Sequence, residues 1–469
     1  MKVLGIYTYE TFFSDKISNY PLQTYQDIPL GFTAILTLIQ KESNYVETLV
    51  CSQYTDINKA LTEEFISQFD LICFTSVAAQ LNYIIEIATL IKKKNKDIKI
   101  IIGGTGVSLF PEYIERTNLF DAILIGEGIK SIKLYLKYLK KEITASKVLG
   151  VWIKENNKII KNKFIKFSSF KNFPIINRKL WDKWICDNSS HTILISRGCV
   201  NSCSYCSNHV LRTKNIGKYV AFRKIENILK EIKEIKKNYK NVRIIHLESE
   251  SFTINLDFSF QLFQKLKELN NTFDKKISFS INLHLTKKLE QNLNTFIILI
   301  KNANINVVYT SLESGSIKLR KNILRRPYYT NSEFIQFCKN LLKYNILLII
   351  GVMLGIPKET EKDLQKTVDI VNKIEPSRTS IAIFSPYPGT DLYNLAKKMG
   401  AIKDDFLVNG YNERKIATVN YPNLPAKTIQ KYYNILIKEQ AERRKAFIKK
   451  YILKKGKNNN ANYFTSSHK

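Results

Sequence analysis

One feature constrains this chain most: short, continuous apolar runs separated by stretches with helical spacing. The pattern covers residues 1–140 and begins again at Ile193. A strand buried on both faces reads as an unbroken apolar run, whereas a strand with one wet face alternates. Parallel strands must be joined by crossovers, and a helix is the usual crossover. Such a chain is expected to fold as an α/β protein, with helices covering parallel sheets. In the first series we expect strands at Lys2–Tyr7, Tyr45–Cys51, Asp70–Thr75, Ile98–Gly103 and Ala122–Ile125. Helices are expected at Gly31–Gln40, Asn58–Gln68, Asn82–Lys94 and Pro111–Arg116. This is a Rossmann-like parallel-sheet domain, placed at 1–145.

Residues 146–190 read as a linker with a hairpin, Val148–Ile153 and Lys158–Phe164. The second series has strands at Ile193–Ser196, Val242–Leu247, Lys276–Ile281, Asn306–Thr310, Leu347–Met353 and Ser380–Phe384. Six strand–helix units predict a partial, TIM-type (β/α) barrel over 191–400. Residues 401–469 read as a small helical region running into a basic tail. Ligands of parallel sheets sit beyond the carboxyl ends of the strands. Glycines gather there in the first domain, at Gly103-Gly104-Thr105-Gly106 and Gly126-Glu127-Gly128. No GxGxxG follows the first strand, so a dinucleotide site is not indicated.

Seven cysteines occur in a chain that opens on a strand pattern without a signal-peptide layout. The odd number argues against a disulfide framework. Three of them, Cys199, Cys203 and Cys206, form CxxxCxxC just after a strand. Three thiolates on one loop can bind three irons of a [4Fe–4S] cluster and leave the fourth iron open. The competing reading is a structural zinc site completed by His209. Cys51, Cys73, Cys186 and Cys338 are expected to be buried small hydrophobes. Cys186, just before the first barrel strand, is also considered as a hydrogen donor.

The cysteine loop and the motifs after it resemble the radical SAM superfamily. The motifs are HLESESF with Glu250, SLESGS with Glu313, LRRPYYT with Arg326, GVMLGIPKE with Gly355 and Glu359, and SPYPGT. The resemblance implies that S-adenosylmethionine (SAM) chelates the open iron and is cleaved reductively to an adenosyl radical. It places Tyr205 near the adenine, and Glu250, Glu313 and Arg326 around the methionine moiety, with Arg325 competing for the last role. The glycine-rich stretch through Gly355 and Glu359 would back the adenine. Independently of the family, a zwitterionic ligand needs a carboxylate and a cation nearby, and a guanidinium matches a carboxylate well.

An α/β module ahead of such a barrel resembles the cobalamin-binding branch of these enzymes. The residues that carry this are Ser76, Gly103, Gly104, Val107, Ser108, Gly126, Glu127 and Gly128. No histidine precedes His191, so the cobalt-ligating DxHxxG motif is absent. The resemblance implies three cofactors: a [4Fe–4S] cluster, SAM and cobalamin. It also implies methylation or rearrangement of an unactivated carbon on a small-molecule substrate, with an electron donor such as flavodoxin or ferredoxin. Aromatics such as Tyr387, Tyr328 and Trp184 are expected to be packing residues.

Composition narrows the partners. Lys and Arg total 73 against 41 Asp and Glu, a net charge of +32. The lysines are dispersed and form no arginine-rich stripe, so the charge indicates non-specific attraction and not a nucleic-acid site. No apolar run approaches the about 20 residues that span a bilayer, and a cytoplasmic location is expected. Two rival classes stay open. A tRNA methylthiotransferase shares the barrel but carries three further cysteines in its first domain. A zinc-stabilised binding protein would use the cysteine loop and His209 without catalysis.

Overall fold

The computed structural model describes residues 1–9, 21–42, 44–167, 169–171, 173–214, 217–250, 252–326, 328–403, 406 and 413–451. Two sheets of seven strands organise it. The first runs in the order 45–51, 2–8, 71–76, 99–104, 122–124, 151–155, 158–161. Its first five strands are parallel and the last two form an antiparallel hairpin. The apolar runs explain this: Leu4, Ile6, Ile72, Phe74, Ile100 and Ile102 pack on one face, and Val3, Leu71, Cys73 and Ile101 on the other. The hairpin we placed in the linker continues this sheet, Ala122–Leu124 pairing with Val151–Ile153. The segment expected as one helix over 58–68 is two short ones, Ile57–Ala60 and Glu63–Ile66, because Thr62 caps the second by accepting from the Phe65 N–H. Helices Thr105–Leu109 and Gly128–Leu139 were not anticipated.

The second sheet is wholly parallel and follows chain order: 185–194, 244–248, 278–282, 305–313, 347–354, 378–383. Sequential neighbours with intervening helices make the expected open barrel. Its first strand starts at Ile185, earlier than its apolar pattern indicates. A seventh strand, Leu22–Tyr25, comes from the first domain and pairs with that one. Tyr25 fixes it by stacking on His191, ring centroids 4.5 Å apart. The other edge is closed by the helix Ala426–Tyr451: Gln440 accepts the Thr379 N–H at 2.7 Å, and Arg443 donates to the Thr379 hydroxyl. Edge strands left open are pairing hazards. The basic tail expected beyond Tyr451 lies outside the described residues. Among the described residues no helix is long and apolar enough to cross a membrane.

Candidate active site

The cysteine loop leaves the first barrel strand through Ser196–Arg197, which pairs with Ala221–Phe222. Gly198 follows at φ 80°, and a Cβ there would meet Tyr219 at 2.7 Å, so only glycine lets the loop turn beneath that ring. Cys199 and Cys203 are buried and Cys206 is partly buried. The Asn201 N–H points at the Cys199 sulfur (3.4 Å) and the Asn208 amide at the Cys206 sulfur (3.8 Å). Burial pushes the Cys206 thiol up to about 11. It raises Cys203 as well, against the opposing pull of the Arg326 guanidinium.

Arg326 is 9% exposed, and its buried Nε has no hydrogen-bond partner. A buried guanidinium with an unused donor beside a thiol suits an anionic neighbour, as an iron–sulfur cluster or a ligand carboxylate would be. The competing residue, Arg325, turns away to pair with Asp391. His209 does not complete a metal site. One ring nitrogen lies 2.9 Å from the Cys206 carbonyl and the other 3.4 Å from Asp391. Among the described residues no three His, Cys, Asp or Glu side chains converge to hold a single ion.

Tyr205, Glu250 and Glu313 lie near the loop thiols, and Gly355 and Glu359 lie on the turn after the fifth strand. Glu313 ends the fourth barrel strand at φ 63°, where the pairing register slips between Ser311 and Glu313. Such a bulge re-aims a side chain, and here the carboxylate accepts from the Tyr205 hydroxyl at 2.8 Å. Glu250 lies two residues beyond its strand, exposed, and accepts from the Asn208 amide at 2.9 Å. Glu359 is 2% exposed and accepts from the Gly355 and Ile356 N–H groups at 2.6 and 3.1 Å. It braces the turn after the fifth strand. Asn208 and Tyr219, which bridge these groups, were missed in the sequence, where Asn208 carries no signal beyond lying two residues past Cys206. Cys186 departs from expectation: it is exposed in an outer part of the first strand, whereas Cys51, Cys73 and Cys338 are buried. Tyr328 is exposed too.

Facing this site, the carboxyl ends of the first sheet border a cavity of about 360 Å³. Ser76, Gly103, Gly104, Gly126, Glu127 and Gly128 line it. Val107 and Ser108 brace it from behind: the Val107 N–H donates to Ser76, and the Ser108 hydroxyl donates to the Gly104 carbonyl and accepts the Gly126 N–H. Gly104 has φ 100°, and a Cβ on it would meet Ser76 backbone at 2.4 Å. Apolar walls with bare glycine backbone suit a large ring with polar edges, and no histidine lines the cavity. The far wall comes from the linker, through Phe170 and Phe173, and from the barrel, through Leu194 and Arg197. Arg197 therefore touches both sites. It pairs with Glu127 at 2.7 Å, lies over the Phe167 ring at 4.4 Å, and stands two residues before Cys199.

Comparison with known proteins agrees with this geometry. Residues 193–371 match the radical SAM superfamily and residues 27–133 match the B12 binding domain. An uncharacterized methyltransferase of Pyrococcus horikoshii is 23% identical over 404 residues, covering 84% of this chain and 82% of the relative. A tRNA-2-methylthio-N(6)-dimethylallyladenosine synthase of Clostridium tetani is 22% identical, covering 77% and 78%. The fold is similar to that of the radical SAM methyltransferase TsrM from Kitasatospora setae, solved with cobalamin and a [4Fe–4S] cluster. The TM-score is 0.66 at 15% identity, over 86% of this chain and 79% of the other.

Proposed function

A B12 binding domain and a radical SAM domain lie in series in this chain, and from that premise we propose that it is a cobalamin-dependent radical SAM enzyme. It acts on an unactivated carbon of a small molecule, by methylation in the first instance and otherwise by rearrangement. When bound, a [4Fe–4S] cluster supplies the electron for reductive SAM cleavage, and a corrinoid supplies a methyl group. Cys199, Cys203 and Cys206 hold the cluster. Arg326 offers its unpaired Nε to the SAM carboxylate, and Glu250 and Glu313 face the ammonium side. Tyr205, held by Glu313, would lie near the adenine, and Gly355 with its Glu359 brace would shape the wall behind. Ser76, Gly103, Gly104, Gly126, Glu127 and Gly128 cradle the corrinoid, backed by Val107 and Ser108. The electron comes from an external donor such as flavodoxin or ferredoxin. One observation carries the reading: Arg197, two residues before Cys199, lines the glycine-bordered cavity and pairs there with Glu127. The methylthiotransferase reading finds less support. Its extra cluster needs grouped cysteines in the first domain, where Cys51 and Cys73 sit singly on separated strands, with thiols pushed up by burial.

The test is anaerobic purification and reconstitution with iron, sulfide and cobalamin, then SAM and a reductant. The expected outcome is about four irons per chain, retained corrinoid bands and release of 5′-deoxyadenosine. Cys203→Ala should lose most of the iron and keep the corrinoid. Zinc in place of iron would sink the proposal.

A further inference from the structure

The barrel interior carries a polar wall that neither cofactor site uses. Side chains two apart on a strand share a face. Ile244, Val307 and Ile349 pack together as an apolar floor. Above the floor is a cavity of about 510 Å³, lined by Thr192, His246, Glu248, Asn282 and Tyr309 from four neighbouring strands. Gln26, Asp27, Ile28 and Leu30 complete the lining from the segment that follows the seventh strand. Leu30 also borders the corrinoid-side cavity, so the two spaces adjoin.

The wall is pre-organised. Glu248 lies 2.9 Å from the His246 Nε2 and accepts from the Asn282 amide at 3.1 Å. The other imidazole nitrogen lies 2.8 Å from the Ser280 hydroxyl. An ionised carboxylate only accepts, so the Nε2 proton points at Glu248. Burial alone would raise the Glu248 carboxyl, but the bonds from His246 and Asn282 together hold it below the usual range. Across the cavity, Asp27 accepts from the Gln23 and Thr24 N–H groups, both at 3.0 Å. No lysine or arginine lines the cavity. In a chain with 73 basic against 41 acidic residues this is a local reversal of charge.

We propose that this cavity is the substrate site and selects a cationic, amine-bearing small molecule, with Glu248 as the acceptor for its ammonium group and Asp27 opposite. The assignment rests on the enzyme reading above and gives it a substrate class. An ammonium ion gains charge-assisted hydrogen bonds here. A carboxylate would meet two acids with no lysine or arginine to offset its lost hydration.

Calorimetric titration of the reconstituted full-length protein with phenethylamine, phenylacetamide and 3-phenylpropionate tests this. The three are similar in size and differ in charge. The amine should bind about tenfold tighter than either of the others, the scale of one charge-assisted bond. Glu248→Gln should abolish that preference while leaving amide binding within about twofold. Should that variant not fold, Asp27→Asn, on a different element, asks the same question, and the wild-type preference stands by itself. Equal binding of the three, preference for the acid, or no amine binding at millimolar concentration overturns the assignment. Intact iron and corrinoid spectra without amine preference would remove this inference alone. Amine selectivity in a protein that holds no iron would remove the enzyme reading and leave the site.

Discussion

Glu359 is a carboxyl group with few places to put a charge. Two backbone N–H groups point at one oxygen, and the other oxygen is buried without a partner. Burial raises it from 4.5 to about 8, against those two hydrogen bonds. Between these values the folded protein keeps the proton and the unfolded chain has lost it, so raising the pH favours unfolding. The contribution is complete below about 4.5 and lost by about 8, at no more than about 1.4 kcal/mol per unit of pH. Glu359→Gln should flatten this slope, which denaturant melts at pH 5, 6.5 and 8 would measure. An unchanged slope would place the titrating group elsewhere. The GVMLGIPKE motif pointed to Glu359, but not to its role: only the folded turn brings the carboxyl back onto Gly355 and Ile356. Likewise SLESGS marks Glu313, while the bulge that aims it at Tyr205 depends on pairing with the next strand.

At the scale of elements, the glycine-lined cavity and the cysteine loop are linked where the turn 126–128 meets the strand end at Arg197. Both partners are largely buried, with side-chain exposures of 17% for Arg197 and 6% for Glu127. Arg197 also donates to the Tyr219 carbonyl, and the Tyr219 hydroxyl bonds Asn208, which reaches Glu250. A mutant cycle with Arg197→Gln and Glu127→Gln should return a coupling of about 1–3 kcal/mol in stability. Additive effects would mean that the pair contributes only through separate contacts. Arg197 stood in the sequence next to Gly198-Cys199 and Glu127 in the Gly-Glu-Gly turn, 70 residues apart. Nothing in either motif says that they meet, because their meeting depends on how two domains pack.

Across the whole molecule, the glycine turns hang from the first sheet and the cysteine loop from the barrel sheet, so damage to one should spare the other. Gly104→Ala is the sharpest probe. Its backbone at φ 100° and ψ −179° is nearly glycine-only, and a Cβ would collide with Ser76. The strain should cost about 3 kcal/mol. The variant should melt lower and lose corrinoid bands while keeping about four irons per chain. Parallel loss of both chromophores would show that the domains fold as one unit. The seventh strand of the barrel sheet, Leu22–Tyr25, comes from the first domain and ties the two together. The C-terminal helix closes the opposite edge.

What the sequence determined by itself is what local chemistry dictates. Continuous apolar runs specify parallel strands buried on both faces, and their number and order specify the two layered sheets. Three cysteines at CxxxCxxC specify a soft-metal loop, whatever surrounds it. Glycines at strand ends mark where backbone must turn or stand bare. Tertiary structure decided the rest, because the rest depends on partners far apart in the chain. The Leu22–Tyr25 strand is too short to declare itself and exists through pairing with the barrel. The hairpin after Gly150 looked like a connection because nothing local says which sheet it will join. The acid-lined cavity is the clearest case. Asp27, His246, Glu248 and Asn282 lie in three separate stretches, and although HLESESF drew notice for Glu250, only the folded barrel puts the four around one space.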